Sequence, residues 1–163
     1  MNVVFVEPSF PDNQKEFVRA LKEVDATVIG IGERPKDWLD DDLKHWLTHY
    51  QQVPSVVDRE RMVDAVRWIQ DKVWVDRLES TVEAHVMTAA EVREACGIPG
   101  TSVHTTFLCR DKPAMKEALR AAGVPTARST GASSGVEVRA FAAEVGFPLI
   151  VKPTTGAGAS GTH

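Results

Sequence analysis

Along the first hundred residues, short unbroken apolar runs alternate with apolar stripes at helical spacing. Asn2-Val3-Val4-Phe5-Val6 is a β-branched and aromatic run that stops at Glu7-Pro8, where proline removes a backbone donor, and it predicts a strand. Asp12 or Asn13 can cap a helix in which Phe17, Val18, Leu21 and Val24 recur at helical spacing, and Ala26 to Ile31 reads as a second buried strand. Strand, helix, strand predicts a parallel pair with a right-handed crossover. The acidic start Asp40-Asp41-Asp42 suits the dipole of a helix carrying Leu43, Trp46, Leu47 and Tyr50, and Gln52 to Val57 follows as a strand. Asp58 caps a helix with Met62, Val63, Val66, Trp68 and Ile69; Val73 to Leu78 is the next strand, and Glu83 to Cys96 a helix closed by Gly97 and Pro99. Residues 1–105 therefore predict an α/β domain built on an open parallel sheet flanked by helices.

After residue 105 the texture changes, and residues 106–163 form a second segment. Asp111 can cap a helix over Met115, Ala118, Leu119 and Ala122, closed by Gly123 before Val124-Pro125. Ser134-Gly135-Val136-Glu137 has the spacing of a capping box for a helix Val136 to Val145 that Gly146 ends. Phe147-Pro148-Leu149-Ile150-Val151-Lys152 reads as a strand delivering a lysine at its end. The stretch Gly156-Ala157-Gly158-Ala159-Ser160-Gly161-Thr162-His163 has no bulky apolar side chain.

Composition is that of an ordinary globular protein: of 163 residues, 43% are hydrophobic and 26% charged, which excludes collagen-like or disordered character. Neither an apolar run of membrane-spanning length nor a signal peptide is found, and Cys96 and Cys109 read as free thiols of a reducing compartment, so the expected location is cytoplasmic, with no membrane partner. A net charge of -4 argues against nucleic acid as a partner, which would require a basic stripe. The charge is uneven: residues 1–105 hold 12 basic against 19 acidic residues, net -7, and residues 106–163 hold 7 against 4, net +3. A small polyanion is therefore expected at the C-terminal end.

Lysine at a strand end followed by three glycines places an ammonium and exposed backbone N–H groups within reach of each other, a combination suited to phosphate oxygens. Gly156-x-Gly158-x-x-Gly161 also has the letters of a dinucleotide fingerprint, but lacks the helix that should follow it. Gly131-Ala132-Ser133-Ser134-Gly135 has those of a nucleophile elbow without a buried strand before it. His45 and His49 would share a helix face as a metal pair, yet no third ligand has fitting spacing, and packing beside Trp46 and Tyr50 explains them better. Trp38, Trp46, Trp68 and Trp74 read as core and helix-to-sheet packing. Glu7 and Glu79 fall at strand ends, where open α/β sheets place ligands, although a solvated strand-end carboxylate is the simpler reading of each.

Arg110-Asp111-Lys112, continuing through Met115-Lys116 and Leu119 to Ala122-Gly123-Val124-Pro125-Thr126, resembles the ATP-grasp superfamily, on the branch of biotin carboxylases, carbamoyl-phosphate synthase large chains and carboxylate-amine ligases. Phe147 to Pro153 resembles that family's strand presenting a phosphate-contacting lysine, and Gly156 to Gly161 its glycine loop over ATP. Ala89-Ala90-Glu91-Val92-Arg93 with Gly97-Ile98-Pro99-Gly100 resembles the last helix of the domain before the grasp.

The resemblance implies a pre-ATP-grasp domain over 1–105 and the start of an ATP-grasp domain over 106–163. It implies ATP contacts by Lys112, Lys152, Gly156, Ala157, Gly158, Ser160 and Gly161, with ATP and Mg as cofactors. Small-molecule carboxylate and nucleophile substrates follow, the carboxylate being activated as an acylphosphate for attack by an amine. The family's magnesium ligands and catalytic groups lie in a second half with no counterpart here, so no catalytic or metal residue is expected in this chain. The expectation is the N-terminal portion of a ligase, not competent alone, partnered by a completing C-terminal segment or a second copy. A non-catalytic α/β nucleotide- or partner-binding module is the alternative.

Overall fold

The structure, a computed structural model, describes residues 1–154 and consists of two compact units, Met1–Val103 and His104–His163. In the first unit a four-stranded sheet has the order β3-β2-β1-β4, with β1 Asn2–Val6, β2 Thr27–Gly32, β3 His49–Gln52 and β4 Arg77–Glu79, and every pairing is parallel. A parallel strand covered on both faces must be apolar on both, which is why β1 is a continuous run: Val3 and Phe5 face one core, Val4 and Val6 the other.

Each face has its own helices. α1 Gln14–Glu23 and α2 Asp41–Trp46 bury Val18 and Leu43 against Val3, Phe5, Val28 and Tyr50. On the opposite face α3 Arg59–Gln70 and α4 Val86–Cys96 bury Met62, Val66, Ile69, Ala89 and Val92 against Val4, Val6, Ile29, Ile31 and Leu78. The caps follow the sequence: Asp40 accepts from the Asp42 N–H, Asp58 from that of Arg61, and Gly97 takes the left-handed conformation that ends α4. Asn13 occupies the position before α1, but its side chain makes no capping bond.

Several boundaries differ from the periodicity. Tyr50, expected on the helix after Asp42, lies in β3; Leu47 is already extended, so α2 stops at Trp46 and the strand begins three residues before Gln52. Pro54 has no N–H to donate, and the stretch expected as strand beyond Gln52 turns instead. β4 is confined to Arg77–Glu79, because only Val3, Val4 and Phe5 are in register with it. Trp38, Trp68 and Trp74 are exposed, contrary to the expected core role; Trp46 alone of the four packs against a core. Trp68 is flanked by the His49 ring, 5.6 Å away, and by the Lys72 ammonium at 4.2 Å. His45 and His49 consequently sit on different elements, a helix and a strand, and form no pair on one helix face.

In the second unit α5 Val103–Arg110, which begins at the last residue of the first, leads to α6 Lys112–Ala121 and α7 Gly135–Val145. Asp111 caps α6 by accepting from Ala114 N–H at 2.9 Å. Ser134 caps α7, but the reciprocal bond comes from one residue earlier: the Glu137 carboxylate accepts from Ser133 N–H at 2.7 Å. That bond holds the Glu137 carboxyl below its ordinary value. The strand expected over Phe147 to Lys152 does not form, because no strand of this unit among the described residues offers it a ladder; Phe147 and Ile150 are exposed.

Candidate functional site

The carboxyl ends of the strands gather the polar residues of the first unit. The chain leaves β1 through Glu7, whose positive φ of 53° is unusual for a residue with a side chain, and whose N–H is tied to the Ile31 carbonyl at 2.7 Å. This turn carries the Glu7 carboxylate into the interior, where it is 5% exposed. Ser9 Oγ donates to it at 2.7 Å and the Glu33 backbone N–H at 2.9 Å, so the buried charge is hydrogen-bonded rather than bare. Gly32 makes room: a Cβ there would stand 2.6 Å from Tyr50 Oη and 3.2 Å from the Glu7 carboxylate. Tyr50 donates to the Arg34 carbonyl at 2.7 Å; burial first, and the Glu7 charge second, push its phenol above the usual range. The neighbouring Glu33 carboxylate accepts from Ser55 Oγ and Val56 N–H, fixing the turn after β3.

Beyond β4, Thr81 Oγ1 donates to buried Gln14, and Arg93 on α4 reaches back to the strand end. Its Nη1 donates to the Leu78 carbonyl at 2.8 Å and lies 3.6 Å from Glu79, while Nε and Nη2 share the Thr101 carbonyl. His85, at the start of α4, has a buried Nδ1 without a hydrogen-bond partner, and burial holds its pKa below the ordinary 6.5 against the opposing pull of Glu7 and Glu33. A histidine kept neutral by folding binds fewer protons than the unfolded chain at mildly acid pH. Stability should therefore be full above 6.5 and fall as pH drops through 6.5 toward the lower folded value. Melting curves from pH 8 to 5 should show this loss in the parent and a flatter profile in His85→Gln.

Of these groups the sequence singled out only Glu7 and Glu79. Ser9, Gln14, Tyr50, Thr81, His85 and Arg93 were missed, although His85, Ala89 and Arg93 are spaced by four, the signature of one helix face.

In the second unit Lys112 is the first residue of α6, and its N–H donates to the Thr154 carbonyl at 3.3 Å, with Nζ at 3.5 Å from the same oxygen. Residues 42 positions apart are thus adjacent: the N-terminus of α6 lies beside the segment that carries exposed Lys152. The expected contacts Gly156, Ala157, Gly158, Ser160 and Gly161 fall outside the described residues. Among the described residues no group of three His, Cys, Asp or Glu side chains could hold a metal ion, and no helix is long and apolar enough to cross a membrane.

The first unit is an open α/β layer of the kind that holds small ligands at its strand ends. Residues 111–163 match the family described as carbamoyl-phosphate synthase L chain, ATP binding domain. The chain is 32% identical to the L-arginine-specific L-amino acid ligase of Bacillus subtilis over 72% of its own length and 29% of that protein. It is 38% identical to the carbamoyl phosphate synthase large chain of Mycobacterium sp. (strain JLS) over 44% of its length and 7% of that protein. Its fold matches the biotin carboxylase domain of the Hydrogenobacter thermophilus 2-oxoglutarate carboxylase, solved as a dimer with MgADP and bicarbonate, at TM-score 0.76 and 21% identity, covering 99% of this chain and 36% of that one. The L-amino acid ligase of Bacillus licheniformis matches at TM-score 0.67 and 19% identity, covering 95% and 37%. These sequence matches relate the chain to ATP-grasp proteins, and it spans less than a third of the two sequence relatives' own lengths.

Proposed function

We propose that this chain supplies the N-terminal portion of an ATP-dependent carboxylate-amine ligase, residues 1–105 as its pre-ATP-grasp domain and 106–163 as the opening of its ATP-grasp domain. The observation that carries this reading is the match of residues 111–163 to an ATP-binding domain, a segment whose start and Lys152 region meet at the Lys112–Thr154 hydrogen bond.

The residues present fit a nucleotide's phosphates. Lys112 sits where the α6 dipole is positive, Lys152 is exposed close by in sequence to Thr154, and the segment has a net charge of +3. Lys112 and Lys152 would neutralise phosphate oxygens, and the backbone of Gly156, Ala157, Gly158, Ser160 and Gly161 would lie over them. When bound, ATP supplies the phosphoryl group that activates a carboxylate as an acylphosphate for attack by an amine or similar nucleophile. Magnesium ligands are assigned to polypeptide beyond this chain's described residues, in a completing C-terminal segment.

Titrating the ¹⁵N-labelled chain with MgATP tests the reading. The amides of Lys112, Lys152 and Gly156 to Gly161 should shift together, and Lys152→Ala should weaken binding by about tenfold, the effect of losing one charged hydrogen bond. Shifts confined to the first unit, or an unaltered affinity in Lys152→Ala, would overturn it.

A further inference from the structure

Residues 97–102 connect α4 to α5, whose first residue, Val103, is the last of the first unit. This connector has neither helix nor strand, and residues 99–102 are exposed, so few apolar contacts oppose its opening. Its start is tied down by the backbone: Ile98 N–H donates to the Arg93 carbonyl at 2.9 Å, and the Ile98 side chain is buried in the larger core. Its far end is held by two consecutive side chains of α4.

Arg93 donates to the Thr101 carbonyl through Nη2 at 3.0 Å and Nε at 3.3 Å, and Glu94 Oε1 accepts from Val103 N–H at 2.8 Å. The first N–H groups of a helix have no acceptor within it, so the Glu94 carboxylate is a cap lent to α5 by the preceding helix. Successive helical residues point about 100° apart, which turns Arg93 inward and leaves Glu94 exposed. The grip on Thr101 is anchored in the sheet as well as in α4, because Arg93 Nη1 also donates to the Leu78 carbonyl at the end of β4, at 2.8 Å. Gly100 admits the arginine stem: a Cβ there would stand 2.6 Å from Arg93 Cδ and 2.8 Å from Nε. Thr101 and Val103 are two residues apart, at most about 7 Å of chain, so neither contact can open far without pulling on the other.

We infer that Arg93 and Glu94 form a two-point latch on the connector, opening as one, which sets where the chain leaves the first unit and releases it while the sheet stays folded. The latch belongs to the first unit and its test needs no ATP, so its failure and that of the ligase reading are distinguishable.

Hydrogen exchange in the whole chain, read group by group by NMR, tests the latch crosswise. Gly100→Ala crowds the Arg93 stem and alters neither Glu94 nor Val103, yet the Val103 amide should exchange about tenfold faster, as if its own hydrogen bond were lost. Glu94→Ala, at an exposed position the fold tolerates, removes the other contact, and the Arg93 Nε–H should exchange faster by a similar factor. In both variants the Val4 and Ile29 amides of the sheet should keep the parent's rates. A Val103 amide at the parent's rate in Gly100→Ala, or an Arg93 Nε–H at the parent's rate in Glu94→Ala, would overturn the inference. Equal acceleration of Val4 and Ile29 would overturn it too, since the connector would then open only by unfolding of the sheet.

Discussion

Replacing Arg93 with methionine should lower the stability of the first unit by about 3 kcal/mol, the cost of stranding buried groups that one side chain now satisfies. Arg93 is 6% exposed, and its guanidinium serves the Leu78 carbonyl at the end of β4 and the Thr101 carbonyl beyond α4. Gly100 lies flat against the arginine stem; a Cβ there would stand 2.6 Å from Arg93 Cδ. Methionine fills much of the stem's volume but donates nothing, so the loss reports the hydrogen bonds rather than the packing. Lysine at 93 restores the charge without the planar fork and should recover less than half. Urea unfolding followed by the ¹⁵N–¹H amide resonances of the first unit measures the shift, and a midpoint equal to the parent's would refute this account.

A loss of similar size, about 3 kcal/mol, is expected for Leu78→Ala. Leu78 is 0% exposed and sits between β1 and the helices of the larger core, beside Val4 in register. Truncation removes transfer energy and leaves a void that close-packed neighbours fill only in part. The urea midpoint should fall while the slope stays that of the parent, because the surface exposed on unfolding hardly changes. Tryptophan emission is a poor probe here, since Trp38, Trp68 and Trp74 are exposed in the folded state. Because the chain has two units, the fraction unfolded should be read from signals of the first alone.

Legibility in the sequence followed the strength of local signals. β1 was readable because a strand buried on both faces is apolar at every position, and α3 and α6 because Asp58 and Asp111 cap them. The boundary at Tyr50 was not, since Leu43, Trp46, Leu47 and Tyr50 fit a helical period although the chain turns extended after Trp46. Tertiary pairing with β2 decides that point, and no local pattern encodes it. The α5 helix is only eight residues long, with no capping aspartate before Val103, and it went unread. At the site, Glu7 was visible as a strand-end carboxylate, but its burial depends on a left-handed backbone and on Gly32 across the sheet. Arg93 was read only as part of the helix before the grasp; that its side chain reaches the end of β4 required the fold. Lys112 and Lys152 were singled out in the sequence as expected phosphate contacts; that the α6 start lies beside Thr154 required the fold.

The position of β1 also sets a timetable for synthesis. This strand is made before both of its partners: it pairs on one side with β2, at Val3 with Val28, and on the other with β4, at Val3 with Arg77. At about 5–20 residues per second, β1 waits several seconds with one edge unsatisfied while the intervening chain is added. Its Val-Val-Phe-Val run is the kind of segment that recruits other strands when left bare. The β1–α1–β2 crossover can cover one edge early, but the second can close only once Leu78 has left the ribosome, and until then that edge stays open to other strands.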